Sequence, residues 1–122
     1  MTGHPVLDRA ERELHEYFAG RRRSFTVPTR AVGTEFQRAV WTALRELPFA
    51  TVCSYGALAA RLGRPSAARA VGAANARNPL AIVVPCHRVV GSGAGLVGYA
   101  GGLPAKAWLL AHERHAAAAL AG

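Results

Sequence analysis

The run Ile82-Val83-Val84-Pro85-Cys86-His87-Arg88-Val89-Val90 constrains this chain more than any other stretch. An apolar segment leads up to a proline, two reactive side chains follow, and the apolar segment then resumes. Residues 80–90 read as short buried strand or extended segments flanking the cysteine. A thiol reacts as its thiolate, and an adjacent imidazole with the cationic Arg88 nearby is a setting that lowers a cysteine pKa. A packing reading stands beside the chemical one, because a single Cys in a Val-rich run also serves as a small buried hydrophobe. Pro85-Cys86-His87 alone leaves both open.

The charge distribution adds a direction. Residues 1–46 hold six acids against eight arginines, whereas residues 47–112 hold no Asp or Glu and carry Arg61, Arg64, Arg69, Arg77, Arg88 and Lys106. A carboxylate-free stretch around a reactive thiol makes a field that attracts polyanions, and nucleic acid is the polyanion expected. Scattered solvated arginines are the plainer alternative. At 122 residues the chain makes one domain with a modest core. Cys53 and Cys86 form no disulfide framework and no secretory signal leads the chain, so a reduced, cytoplasmic protein is expected, nucleoid-associated in a bacterium. No apolar run reaches membrane-spanning length, and the Cys and His spacing suits no structural metal.

The periodicity predicts a mainly α fold with short strands. Residues 6–19 read as a helix with Leu7, Ala10, Leu14 and Tyr17/Phe18 inward and Gly20 as its stop. Arg21-Arg22-Arg23 and an extended connection over 24–33 follow. Thr34 and Gln37 form a capping-box pattern opening a helix over 35–47, with Phe36, Val40, Leu44 and Leu47 on one face and Pro48 at its end. Ser54 caps a short helix closed by Gly63, and Ser66 caps a second running to about Ala76. Two short helices across a Gly-containing turn make a helix-turn-helix pattern. The second is smooth with alanine, from Ala67 and Ala68 to Ala74, and Arg69 is its long side chain, suited to reaching into a groove. Asn78-Pro79 ends the pair. Gly91 to Gly95 and Gly98 to Gly102 make loops around Tyr99, and Pro104 opens a last helix with Ala107, Trp108, Leu110 and Ala111 inward. Glu113 then opposes the macrodipole at that helix's C-terminus, unless a cationic partner meets it. Residues 115–122 form a tail.

With these residues assembled, the chain resembles the O6-alkylguanine-DNA alkyltransferases, also called methylated-DNA–protein-cysteine methyltransferases. The resemblance runs over most of residues 33–113 and rests on Gly33 to Trp41, Ser54-Tyr55-Gly56, Ala68 to Gly72, Asn78-Pro79, Pro85-Cys86-His87-Arg88-Val89-Val90, Gly98 to Gly102 and Trp108 to Glu113. It implies a winged-helix-like DNA-binding domain at 34–114, preceded by a helix and connection at 1–33 standing as the remnant of an N-terminal domain. It further implies that Cys86 accepts the alkyl group and that His87 relays the thiol proton through a water. Glu113 orients His87 and Asn78 braces the active-site turn. Tyr55 helps turn out the nucleotide and donates to guanine N3, while Arg69 fills the gap left in the duplex. Tyr99 lines the pocket and the Ala100 N–H supports the departing O6. Ala67, Ala68, Arg88 and Ser92 join the DNA contacts.

The chemistry follows from the substrate's position. An alkyl group on guanine O6 lies inside the duplex, so a thiol reaches it only if the base leaves the stack. The product thioether has no easy route back, so one molecule repairs one lesion and no cofactor is required. The partner expected is double-stranded DNA carrying O6-alkylguanine, bound by a monomer. The reading needs Cys86 open to a cleft and near both His87 and Glu113. Three alternatives compete: a non-catalytic alkyltransferase-like lesion sensor, which generally lacks the acceptor cysteine; a plain helix-turn-helix transcription factor, for which the alanine-rich helix lacks base-reading side chains; and a Cys-His hydrolase. Singly, Tyr55 and Tyr99 also read as packing, Arg69 as solvated and Glu113 as a partner of Arg114 or water.

Overall fold

A computed structural model describes residues 5–30, 32–91 and 102–121. In chain order these form α1 (Pro5–Phe18), α2 (Glu35–Arg45), β1 (Cys53–Ser54), α3 (Tyr55–Arg61), α4 (Ala68–Ala76), a single 3₁₀ turn (Cys86–Arg88), β2 (Val89–Val90) and α5 (Leu103–Ala121). The fold is mainly α with one short strand pair, and α3 packed on α4 is its helix-turn-helix.

Thr34 opens α2 as its sequence requires: Thr34 Oγ1 accepts from the Gln37 N–H and Gln37 Oε1 from the Thr34 N–H, both at 3.0 Å. This fixes the helix so that Val40, Trp41, Ala43 and Leu44 face inward, with Leu47 just beyond. They close a core with Leu58 and Ala59 from α3, Val71 and Ala74 from α4, and Val84, Cys86 and Val89. Trp41 Nε1 donates to the Ala74 carbonyl at 2.9 Å, so the large ring loses no hydrogen bond on burial.

Ser54 caps α3 through the Ala57 N–H, and Gly63, left-handed at φ 76°, follows its end. The start of α4 differs from the sequence expectation. Its N-cap is Ala67, with no side-chain cap; Ser66 lies one residue early because the Ala67 carbonyl already accepts the Val71 N–H. β1 and β2 pair in parallel, Cys53 opposite Val89 and Ser54 opposite Val90. One strand opens α3 and the other leaves the Cys86 turn, so this pairing ties Tyr55 to the reactive residues.

Both terminal helices follow their apolar periodicity only in part: Tyr17 and Leu110 are buried as expected, but other members of each predicted face are not. On α1 the buried residues are Glu13 and Tyr17, while Leu7 is 64 % exposed and Phe18 45 %. On α5 Lys106, Leu109, Leu110, Glu113 and Ala116 are buried, whereas Trp108 is 53 % exposed and Ala107 is also outside. Trp108 instead stacks on His112, centroids 5.0 Å apart, beside Phe18. In each case buried polar partners outweigh the apolar count: Glu13 accepts from Thr26 and Val27, and Glu113 from several donors described below. The last helix also begins at Leu103 and continues to Ala121, absorbing most of the expected tail. No described helix is long and apolar enough to cross a membrane.

Gly33 illustrates how tightly the α2 entry is packed. An added Cβ would fall 2.6 Å from Trp41 Cη2 and 2.7 Å from Gln37 Oε1. Neither neighbour yields cheaply, since one holds Ala74 and the other holds the cap. Gly33→Ala should therefore destabilise the fold by about 1–3 kcal/mol, read as a lower urea midpoint with an unchanged slope.

Candidate active site

Glu113 is fully buried and accepts five hydrogen bonds. Its Oε2 lies 2.7 Å from His87 Nε2, 2.7 Å from the Tyr17 hydroxyl and 2.8 Å from Arg88 Nη2. Its Oε1 takes Arg88 Nε at 3.0 Å and the Ala50 N–H at 3.1 Å. Ala50 is left-handed at φ 63°, a conformation costing a non-glycine residue about 1 kcal/mol, and it aims its N–H at the carboxylate. Burial alone would raise the Glu113 carboxyl. Hydrogen bonds from His87 and Arg88, attraction to a protonated His87, and the Tyr17 hydroxyl outweigh it and hold the group at about 2. Glu113 is thus an anion at neutral pH. With Glu113 held at Nε2, the ring nitrogen turned away from the carboxylate is Nδ1. That atom is buried with no protein partner among the described residues. A base oriented by a carboxylate is the result.

Cys86 opens the 3₁₀ turn, held by its own N–H to the Val84 carbonyl at 2.8 Å. Asn78 braces this turn from below: Nδ2 donates to the Val84 carbonyl at 2.8 Å and Oδ1 accepts the Leu80 N–H at 3.0 Å. Asn75 adds a bond from Nδ2 to the Cys86 carbonyl at 3.3 Å. Between them Ile82 is forced to φ 77°, rare for a β-branched residue. Cys86 itself is only 2 % exposed. Burial pushes its thiol up, and Asn78, the Cys86 backbone and Lys106 pull it back down. Tyr55, half-buried at the start of α3, is close enough for a Cys86 charge to raise its phenol, after burial has raised it further and Asn75 has lowered it.

The structure therefore brings together Cys86, His87, Glu113, Asn78 and Tyr55. Arg69 stands exposed on α4 beside the half-buried Ala67 and Ala68. Ser92, Tyr99 and Ala100 lie outside the described residues. Four expectations are corrected. Arg88 is not a DNA contact: it is 5 % exposed and spends its guanidinium on Glu113 and the Leu47 carbonyl. Nor is it the thiol's cation, since Glu113 neutralises it and the charge acting on Cys86 is that of Lys106. The thiol is also raised rather than lowered, and closed rather than open. Sequence reasoning missed Tyr17, Ala50, Asn75 and Lys106. Only Lys106 left a signal, lying seven residues before Glu113 and hence on the same helical face. An open cleft of about 390 Å³ beside α2 lies elsewhere, its walls including Arg30, Arg38 and Arg45 but not Cys86.

The fold and site define a class: a helix-turn-helix domain that buries a cysteine beside a carboxylate-oriented histidine. Comparison with known proteins narrows it. Residues 35–115 match the family model for the 6-O-methylguanine DNA methyltransferase DNA binding domain, and the chain belongs to that family. It is 58 % identical over 102 residues to a methylated-DNA–protein-cysteine methyltransferase of Shigella flexneri, covering 83 % of this chain and 60 % of the relative. A relative of the same name in Methanosarcina acetivorans is 53 % identical over 104 residues, covering 85 % and 67 %. Among solved structures, Mycobacterium tuberculosis OGT in complex with DNA superposes with a TM-score of 0.86 at 47 % identity, covering 88 % of this chain and 66 % of that one. The chain thus spans about 60 % of the length of the Shigella relative it matches.

The depressed Glu113 carboxyl makes stability depend on pH with a definite sign. A group whose pKa is lower folded than unfolded stabilises the fold above its unfolded value of 4.5, and that contribution is lost as pH falls toward about 2. The loss should be on the order of 3 kcal/mol. Urea unfolding between pH 5 and 2 should show it, and Glu113→Gln should flatten the slope while lowering stability at pH 7. Glu13, also depressed, leaves a residual slope in the variant.

Proposed function

We propose that this chain performs direct-reversal DNA repair, moving an alkyl group from guanine O6 of a flipped-out nucleotide to its own Cys86. The observation that carries this reading is the Cys86-His87-Glu113 arrangement, with His87 Nε2 held 2.7 Å from a carboxylate at the floor of a helix-turn-helix domain. The names of the similar proteins, methylated-DNA–protein-cysteine methyltransferase and OGT in complex with DNA, support it. The thiol proton passes to His87 Nδ1, through a water as the family resemblance implies. The sulfur lone pair forms a C–S bond as the C–O6 bond breaks. The electron pair stays on the base, which takes up a proton as it becomes guanine. The thioether remains on Cys86, so each molecule acts once.

The other residues take roles around this step. Asn78 holds the turn, Tyr55 donates to guanine N3, and Arg69 enters the gap in the duplex with Ala67 and Ala68 against the groove. Tyr99, the Ala100 N–H and Ser92 complete the contacts from the loop. The partner is double-stranded DNA carrying O6-alkylguanine, bound by a monomer in the cytoplasm or nucleoid. A sulfur at 2 % exposure requires that the wall above it open when the base arrives.

Incubation with duplex containing O6-methylguanine should add one methyl mass, once per molecule, to the peptide bearing Cys86. Cys86→Ser should bind the same duplex and gain nothing. Binding without mass gain by the native chain would sink the repair reading in favour of a lesion sensor. Affinity should fall steeply with salt and vary little with sequence. Arg69→Ala should slow transfer from duplex while leaving transfer from the free base unchanged.

A further inference from the structure

Two buried side-chain polar atoms lack a protein partner among the described residues, His87 Nδ1 and Asn75 Oδ1. Folded proteins seldom leave such atoms unmet, because each forfeits the hydrogen bonds it had in water. His87 Nδ1 is accounted for, since it receives the thiol proton. Asn75 Oδ1 has no part in any step described so far. Asn75 lies near the end of α4 and is 2 % exposed. Its Nδ2 donates to the Cys86 carbonyl at 3.3 Å. That bond fixes the orientation of the amide, since the reverse would set oxygen against oxygen. Gly72, one turn earlier on the same face, is where α4 meets Tyr55: a Cβ there would stand 3.9 Å from the ring. Asn75 is also near enough to the Tyr55 hydroxyl to lower its phenol. The orphaned acceptor thus adjoins both the Cys86 turn and Tyr55.

The lesion itself supplies a donor, and in only one place. Alkylation at O6 removes the N1 proton of guanine, leaving N1, N3, N7 and O6 as acceptors. The 2-amino group is then the one N–H donor on the base. In the reading above Tyr55 donates to N3, and N3 and the 2-amino nitrogen are bonded to the same carbon, C2. A donor beside an acceptor on the protein, Tyr55 Oη and Asn75 Oδ1, matches an acceptor beside a donor on the base. Thymine alkylated at O4 has lost its N3 proton and carries no N–H, so it leaves Asn75 Oδ1 unmet.

We infer that Asn75 Oδ1 accepts from the 2-amino group of the flipped base, so that Asn75 selects O6-alkylguanine over alkylated bases without that amine. Resting on the repair reading above, this role leaves the proton route through His87 and the formation of the C–S bond unchanged. It decides which base is held over the thiol.

The test compares single-turnover methyl transfer to Cys86 from duplexes holding O6-methylguanine or O6-methylhypoxanthine, the same base without its 2-amino group. The native chain should react about tenfold faster with the guanine, because an analogue that leaves a buried acceptor unpaired is held less well. In Asn75→Leu, similar in size but without the acceptor, that ratio should fall to about one. Loss of the Nδ2 bond to the Cys86 carbonyl slows both substrates alike and drops out of the ratio. A merely structural asparagine would lower both rates and leave the ratio standing, which overturns the inference, as does a native ratio near one. Should Asn75→Leu not fold, Asn75→Ala, which asks for no added space, is read in the same way. If neither duplex gives up its methyl, the repair reading fails, and the affinities of the native chain for the two duplexes decide. A preference for the guanine that the variant abolishes then upholds the amine contact; equal affinities, or a preference the variant keeps, refute it.

Discussion

One carboxylate holds the described parts of this protein together. Glu113 receives Tyr17 from α1, Ala50 from the loop after α2, and His87 and Arg88 from the 3₁₀ turn. A buried anion without such donors would be protonated or expelled. Supplied with five, it becomes the point at which three otherwise separate segments are forced to meet. The cost of leaving any one donor unpaired enforces the arrangement more strictly than apolar contact, which is indifferent to direction. That directionality sets which histidine nitrogen faces the carboxylate, and through it which is left to act as a base.

The same constraint separates two kinds of positive charge. Arg88 adjoins the reactive pair in the chain, yet its charge is consumed structurally, bonding Glu113 and the Leu47 carbonyl while its guanidinium lies over Phe49. Arg69, remote in sequence, stays exposed on a helix of small residues. Lys106 is buried like the first, but donates to the Val89 carbonyl rather than to a carboxylate. Net charge alone does not distinguish them, because the distinction lies in whether an anion is already within reach.

Much of the fold was legible in order along the chain. The Thr34–Gln37 box, the Ser54 cap, the stop after α3 and the break at Pro79 are local rules, decided by residues within a few positions of one another, and the structure follows them. The grouping of Cys86, His87 and Glu113 was legible through family resemblance, although the last is 26 residues from the histidine it orients. The faces of α1 and α5 were legible only in part. Apolar periodicity places Tyr17 and Leu110 inside, where they lie, but also assigns Leu7 and Trp108 to the interior, whereas Glu13, Lys106 and Glu113 occupy it. A hydrophobic pattern counts a charged side chain as solvent-facing, and it misplaces a helix whenever that charge is satisfied inside. Residues such as Tyr17 and Ala50, whose role is to supply a donor to a distant acceptor, carry no local signature.

The sequence by itself determined where α2 and α3 begin, which residues carry reactive atoms, and which half of the chain lacks carboxylates, since each depends on the residue or its near neighbours. Only the tertiary structure decided which of those charges cancel, which way the buried faces turn, and that the sulfur rests closed and raised rather than exposed and acidic. These are matters of distance and solvation between segments far apart in the chain. They are settled only when burial removes water and each polar group must find its partner within the protein.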